Sequence, residues 1–143
     1  MNLNTPQPVP QGTYRPAVRH GDLIFSSGMT PRRGGVLIHA GRMRATDPIE
    51  AHQDAVVLAT LNALTAVQVC LAEGERIGVV VQLTVFLNSE PEFSAHSKVA
   101  DFASATLIAQ LGPDCIGSRA AIGVASLPAQ APVEITIVAS VVR

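Results

Sequence analysis

The sequence has few aromatic residues and few charged residues. It contains no Trp, one Tyr and four Phe, and charged residues make up 15% of its 143 positions, against about 25% in typical globular domains. The hydrophobic fraction of 48% excludes a disordered chain. A net charge of −1 with dispersed basic residues gives no general attraction for phosphate backbones or anionic lipid, so nucleic acid is not an expected partner. So few charges predict that apolar surface is buried between subunits.

Targeting and metal-binding patterns are also lacking. The two cysteines, Cys70 and Cys115, show neither metal-ligand spacing nor a disulfide framework, and the four histidines lack the spacing of a zinc site. Residues 1–12 do not resemble a signal peptide. Residues 55–72 carry no charge, but the polar residues within them indicate a buried helix and not a membrane span. We therefore expect a cytoplasmic protein with no metal and no membrane partner.

What the sequence does contain is an alternation of strand and helix patterns. Residues 47–50 predict a helix start, with Asp47 at the cap, Pro48 at the first helical position and Glu50 in capping-box spacing. The predicted elements are strands at 22–27 and 36–39, a helix at 48–72, a strand at 77–87, a helix from 93 or 97 to 110, and strands at 118–126 and 133–142. With the first third of the chain as a β-meander, the order is βββ-α-β-α-ββ, which predicts one α+β domain over residues 1–143 with both helices on one sheet face.

The last two predicted strands place two charges among small side chains. Alternation puts Arg119 on a face of otherwise very small residues, which leaves space beside the guanidinium for a small anion. Glu134 occupies the polar face of the final strand. If these strands pair antiparallel, the two faces coincide and Glu134 lies near Arg119. The same pattern also fits a structural salt bridge or a charge at an interface.

At these residues the sequence resembles the RidA (YjgF) family of reactive-intermediate enamine and imine deaminases, also labelled L-PSP endoribonucleases. The most specific match is an arginine before a short strand that ends in Leu-Pro, followed by a Val-Glu pair that opens the last strand. The matching stretches are residues 12–18, 21–28, 80–87 followed by Phe93, 118–128 and 132–135.

The resemblance implies a chorismate-mutase-like (YjgF-like) fold, with a six-stranded, mainly antiparallel sheet and two helices on one face. It further implies a homotrimer with clefts between subunits. The implied activity is that of a hydrolase: deamination of enamines or imines such as 2-aminoacrylate or 2-iminobutanoate to 2-keto acids and ammonia. No cofactor is expected.

The resemblance also assigns residues. Arg119 would clamp the substrate carboxylate, a role that suits a planar guanidinium that stays charged. Glu134 would position or deprotonate the attacking water. Tyr14, Ser27 and Gly28 match positions that line the substrate cleft, although Tyr14 and Ser27 also fit purely structural roles.

Several positions depart from the family pattern and suggest a divergent branch. Met29 stands where glutamine is frequent, and Ala121 stands where many members have cysteine. Two alternatives therefore stay open: a non-catalytic module that binds small carboxylates or a protein partner, and an endoribonuclease. The basic loop residues that bear on the second alternative have no stacking aromatics nearby, which favours a solvated loop; they are Arg32, Arg33, Arg42 and Arg44.

Overall fold

The two helices lie close to where the apolar stripes predict them. A computed structural model describes residues 6–143, with helix α1 at Gln53–Gln68 and helix α2 at His96–Leu111. A short 3-10 turn, Ile49–His52, precedes α1. Asp47 does not cap this helix. Its carboxylate instead accepts a hydrogen bond from the backbone N–H of Arg44 at 2.8 Å, so the regular helix begins later than predicted.

Seven strands accompany the helices in the described part of the chain, residues 6–143. They are β1 Ala17–His20, β2 Leu23–Ser26, β3 Arg32–Arg33, β4 Val36–Leu37, β5 Arg76–Asn88, β6 Ile116–Val124 and β7 Val133–Val142. The main sheet has five strands in the order β1-β2-β7-β5-β6, and β3 with β4 forms a separate two-stranded ribbon. The α+β fold is thus confirmed, but the main sheet has five strands where six were predicted. The stretch 12–16, matched to an opening strand, precedes β1 and is not part of it.

The antiparallel pairing of the last two strands, the condition for bringing Glu134 near Arg119, does not occur. Strand β5 lies between β6 and β7, pairing parallel with the first and antiparallel with the second. Parallel strands need a long crossover connection, and α2 supplies it between β5 and β6. Alternation along a strand defines which residues share a face. It does not define which strand is the neighbour.

The core lies between the helices and one sheet face. Strand β7 alternates buried and half-buried positions along its whole length, and its buried residues face the helices. Both helices contribute fully buried small residues where they contact each other and the sheet, which lets the backbones approach closely; these include Ala59, Ala63, Ala100 and Ala103.

The opposite sheet face is open. Ile24 is completely buried under α1, so its neighbours in β2, Leu23 and Phe25, point away from the helices and are 38% and 39% exposed. Val18 pairs with Phe25 on this face, and Ile122 of β6 is also exposed there. Large apolar side chains gathered on one sheet face are a surface that favours burial against another molecule.

Candidate functional site

Four residues predicted to bind or transform a substrate meet in one cleft. Tyr14, Ser27, Gly28 and Glu134 line a cavity of about 390 Å³ at the open side of the sheet. Tyr14 comes from the N-terminal segment, Ser27 and Gly28 directly follow β2, and Glu134 comes from the start of β7. The other lining residues were not predicted from the sequence; they are Gln11, Thr30, Arg32 and Pro128.

Backbone hydrogen bonds fix the segment that follows β2 against β7. Met29 and Ile135 each donate an N–H to the other's carbonyl, both at 2.8 Å. Ser27 is held to the N-terminal segment, since its N–H donates to the Pro16 carbonyl and its hydroxyl donates to the Arg15 carbonyl at 2.5 Å. The Ser27 hydroxyl oxygen is therefore oriented by the chain itself and keeps acceptor capacity.

Gly28 packs directly against Glu134. A methyl group on Gly28 would lie 2.6 Å from Oε2, 2.7 Å from Cδ and 3.0 Å from Cγ of Glu134. These distances are shorter than any normal carbon contact. Glycine at this position is thus what gives the carboxylate its place in the cleft.

The electrostatic setting of Glu134 suits a proton acceptor. Its side chain is half-buried, and this burial raises the pKa of the carboxyl because the charged form loses solvation. Desolvation is the one cause of the shift, so no neighbouring charge within residues 6–143 holds the carboxylate in its ionised form. A carboxylate whose pKa is raised takes up a proton more readily near neutral pH.

Tyr14 presents its phenol to the same cavity. Tyr14 as a whole residue is 45% exposed, and its hydroxyl oxygen accepts a hydrogen bond from the backbone N–H of Gln11 at 2.9 Å. The hydroxyl proton is thereby left to donate to a ligand. The hydroxyl of Tyr14 and the hydroxyl of Ser27 both line this cleft together with Glu134.

Arg119 lies outside this cleft, and the closeness of Arg119 and Glu134 that an antiparallel pair of strands would give does not occur within one chain. Arg119 pairs with Leu83, whose buried side chain faces the helices, whereas Glu134 pairs with Phe86 on the open face. The two charged groups thus lie on opposite faces, with β5 between their strands. One chain alone does not bring them into one pocket.

The guanidinium of Arg119 is bound to α2. Its Nη1 donates to Asp101 Oδ1 at 2.7 Å and to Ser104 Oγ at 3.1 Å, and its Nη2 donates to Ser97 Oγ at 2.8 Å. The Arg119 side chain is 23% exposed and that of Asp101 is 68% exposed. The spacing of 97, 101 and 104 is that of one helix face, so this polar stripe was detectable in the sequence but was not paired with an arginine.

Two further findings concern the residues that the structure describes. Within 6–143 there is no group of three or more His, Cys, Asp or Glu side chains arranged to hold a metal ion. Neither α1 nor α2, nor any other helix of that range, has the length and hydropathy to cross a bilayer.

This fold and cleft define a small α+β protein with a concave site built around one carboxylate. Residues 4–141 match the family model described as Endoribonuclease L-PSP. The chain therefore belongs to the endoribonuclease L-PSP family, which is the YjgF/RidA family. Membership supports a role in processing or binding small molecules, and family members are typically small homo-oligomers.

Individual proteins are similar to this chain in sequence or structure. Protein TCP17 of Trypanosoma cruzi is 33% identical over 130 residues, which cover 88% of this chain and 79% of that protein. The crystal structure of Atu1372 from Agrobacterium tumefaciens, a protein of unknown function, matches with a TM-score of 0.84 and 31% identity over 98% of this chain and 88% of its own. The crystal structure of a putative endoribonuclease from Shewanella oneidensis matches with a TM-score of 0.85 and 27% identity over 96% of this chain and 92% of that chain.

Proposed function

We propose that the protein hydrolyses reactive enamines or imines, of the 2-aminoacrylate or 2-iminobutanoate type, to 2-keto acids and ammonia. The observation that carries the proposal is the half-buried carboxylate of Glu134, in one cleft with the hydroxyls of Tyr14 and Ser27. Imine hydrolysis needs a group that takes a proton from water and returns it to nitrogen. A carboxylate whose pKa is raised by burial suits both steps.

The proposed reaction begins with water held by Glu134 in contact with the carbon of the protonated imine, C=NH2⁺. As the water oxygen bonds to that carbon, Glu134 accepts a water proton and the C=N electron pair moves to nitrogen, giving a carbinolamine. Protonated Glu134 then gives its proton to the nitrogen. The C–N bond breaks to release ammonia, and the hydroxyl proton passes to the Glu134 carboxylate as the C=O bond of the 2-keto acid forms. Glu134 gives this proton to the departing ammonia, which leaves as ammonium, and the carboxylate is restored.

We further propose that the cleft is completed in a homotrimer by Arg119 of the partner subunit, which binds the substrate carboxylate. Arg119 lies on the edge strand of the sheet, where residues 6–143 leave one side of β6 unpaired. The open apolar face that includes Phe25 and Ile122 offers a surface for subunit contact. Planar N–H donors of an arginine match a carboxylate in bidentate geometry.

The test is to generate 2-iminobutanoate with a dehydratase and to follow release of 2-oxobutanoate. Glu134→Gln should lower kcat by about 10²-fold, the usual contribution of a general base. Arg119→Ala should lower kcat/KM by about 10- to 100-fold, as expected for loss of a hydrogen-bonded charge. Glu92→Gln is the matched control, because Glu92 is exposed and outside the cleft. No acceleration by the unmodified protein, or full activity of both site variants, contradicts the proposal.

The same two variants test whether the cleft is shared. Mixing Arg119→Ala subunits with Glu134→Gln subunits during refolding should restore part of the activity, because some clefts then receive both intact residues. Each variant refolded alone should stay impaired. A monomeric mass in solution, or a mixture no more active than its components, would contradict the shared cleft.

A further inference from the structure

Arg32 is a second arginine at the cleft, and it is built into the site rather than solvated as the sequence suggested. It is half-buried in the ribbon strand β3 and lines the same cavity as Glu134. The buried side chain of Asn62, on α1, donates hydrogen bonds to the carbonyls of Thr30 at 3.1 Å and Arg32 at 2.8 Å. This backbone is therefore fixed to the core before any ligand binds.

The guanidinium of Arg32 is bound only to neutral groups within the described chain. Its Nε donates to Thr30 Oγ1 at 3.2 Å and its Nη1 donates to the Gly35 carbonyl at 2.9 Å. An arginine has five N–H donors, so these two bonds orient the group and leave the Nη2 donors unused.

No carboxylate of residues 6–143 forms an ion pair with Arg32, and residues 1–5 contain no Asp or Glu. Two other partly buried arginines behave differently, since Arg19 pairs with Glu75 and Arg119 pairs with Asp101. A partly buried cation without an anion retains charge that a ligand can neutralise.

We propose that Arg32 is a second anion anchor, and that the preferred substrate is a 2-imino acid with a further carboxylate on its side chain. The inference rests on the proposed function. The substrate's first carboxylate binds Arg119 of the partner subunit, its imine carbon faces Glu134, and its side-chain carboxylate binds Arg32. A cavity of about 390 Å³ lies in the size range of small-molecule sites and has room for such a molecule.

Binding of the stable product analogues tests this without turnover. Calorimetry should show tighter binding of 2-oxoglutarate, which has the second carboxylate, than of 2-oxobutanoate, which lacks it. Arg32→Gln should weaken 2-oxoglutarate binding by about 10- to 100-fold, the range for a lost hydrogen-bonded charge, and leave 2-oxobutanoate binding unchanged. The matched control is Arg33→Gln, because Arg33 is exposed and does not line this cavity.

The inference would be overturned if the unmodified protein bound the two acids with equal affinity or bound neither. Equal effects of Arg32→Gln and Arg33→Gln would also overturn it. Arg32→Lys keeps the charge but not the planar donors, so this variant tests recognition of the second carboxylate if Arg32→Gln does not fold. We expect it to lose part of the preference, and an unchanged preference would contradict recognition by the guanidinium. Failure of the proposed function is separate: imine turnover would be absent while the Arg32-dependent preference remained.

Discussion

The close approach of Gly28 to Glu134 gives the sharpest test of the site geometry. Gly28→Ala adds one methyl group at a position whose backbone is outside the left-handed region, so the backbone tolerates alanine. The whole penalty is therefore steric. It falls on the Glu134 side chain, since the three atoms nearest to the added methyl group all belong to it.

The magnitude follows from the distances. The added carbon would lie 2.6 to 3.0 Å from those three atoms, where relaxed carbon contacts need about 3.5 Å. The carboxylate must then move by roughly 1 Å. Overpacking of this kind costs about 1–3 kcal/mol of unfolding free energy. A catalytic group misplaced by about 1 Å costs on the order of 10²-fold in rate. We expect both losses from this one methyl group.

A double-mutant cycle isolates the contact. Glu134→Ala removes all three clashing atoms, so Gly28→Ala should cost little in that background, and urea denaturation should give a coupling energy of about 1–3 kcal/mol. Gly12→Ala is the control, because its added carbon would lie 3.3 Å from the exposed Tyr14 ring, which can adjust. If Gly28→Ala costs the same with and without Glu134, the reasoning is refuted.

Two further predictions concern other charged contacts. Asp101→Asn should strengthen binding of 2-oxobutanoate by about twofold to fivefold, because an exposed ion pair of about 0.2–1 kcal/mol no longer competes for Arg119. Asp114→Asn removes the same charge elsewhere and should leave this binding unchanged. Equal effects of the two variants would contradict competition by Asp101 for Arg119. Arg19 lowers the pKa of Glu75 to about 2, so this contact stabilises the fold above pH 4.5 and is lost as pH falls toward 2. Urea midpoints across that range should fall less for Glu75→Gln than for the unmodified protein, and parallel profiles would refute the assignment.

The sequence predicted the long elements well, because their patterns are set by burial. The run predicted at 77–87 forms β5, Arg76–Asn88, and the strand predicted at 133–142 forms β7 with the same bounds. The helix predicted at 48–72 is shorter at both ends. Its apolar stripe continues past the point where the chain turns toward Gly74, whose φ of 80° ends the segment in a left-handed turn.

The pairing of strands and the roles of individual charges were harder to predict. The antiparallel pairing of the last two strands was only a condition, and alternation gives no signal for a strand, here β5, that inserts between them. Arg32 was expected in a solvated loop because no stacking aromatics lie near it in the sequence. Its place in the cleft depends on Asn62, thirty residues away, which holds the ribbon to the core. Such a contact is a property of the folded chain alone.

The separation of Arg119 from Glu134 within one chain has a chemical consequence. If the two met in the same chain, the guanidinium would pair with the carboxylate, hold it ionised and lower its pKa, which would weaken it as a proton acceptor. Because Arg119 lies on the opposite sheet face, the carboxyl of Glu134 keeps a pKa that burial raises. Under the proposed assembly, the arginine of the partner subunit approaches Glu134 with the substrate between them, its carboxylate toward the arginine and its imine carbon toward Glu134, so the cation binds the substrate and not the catalytic group.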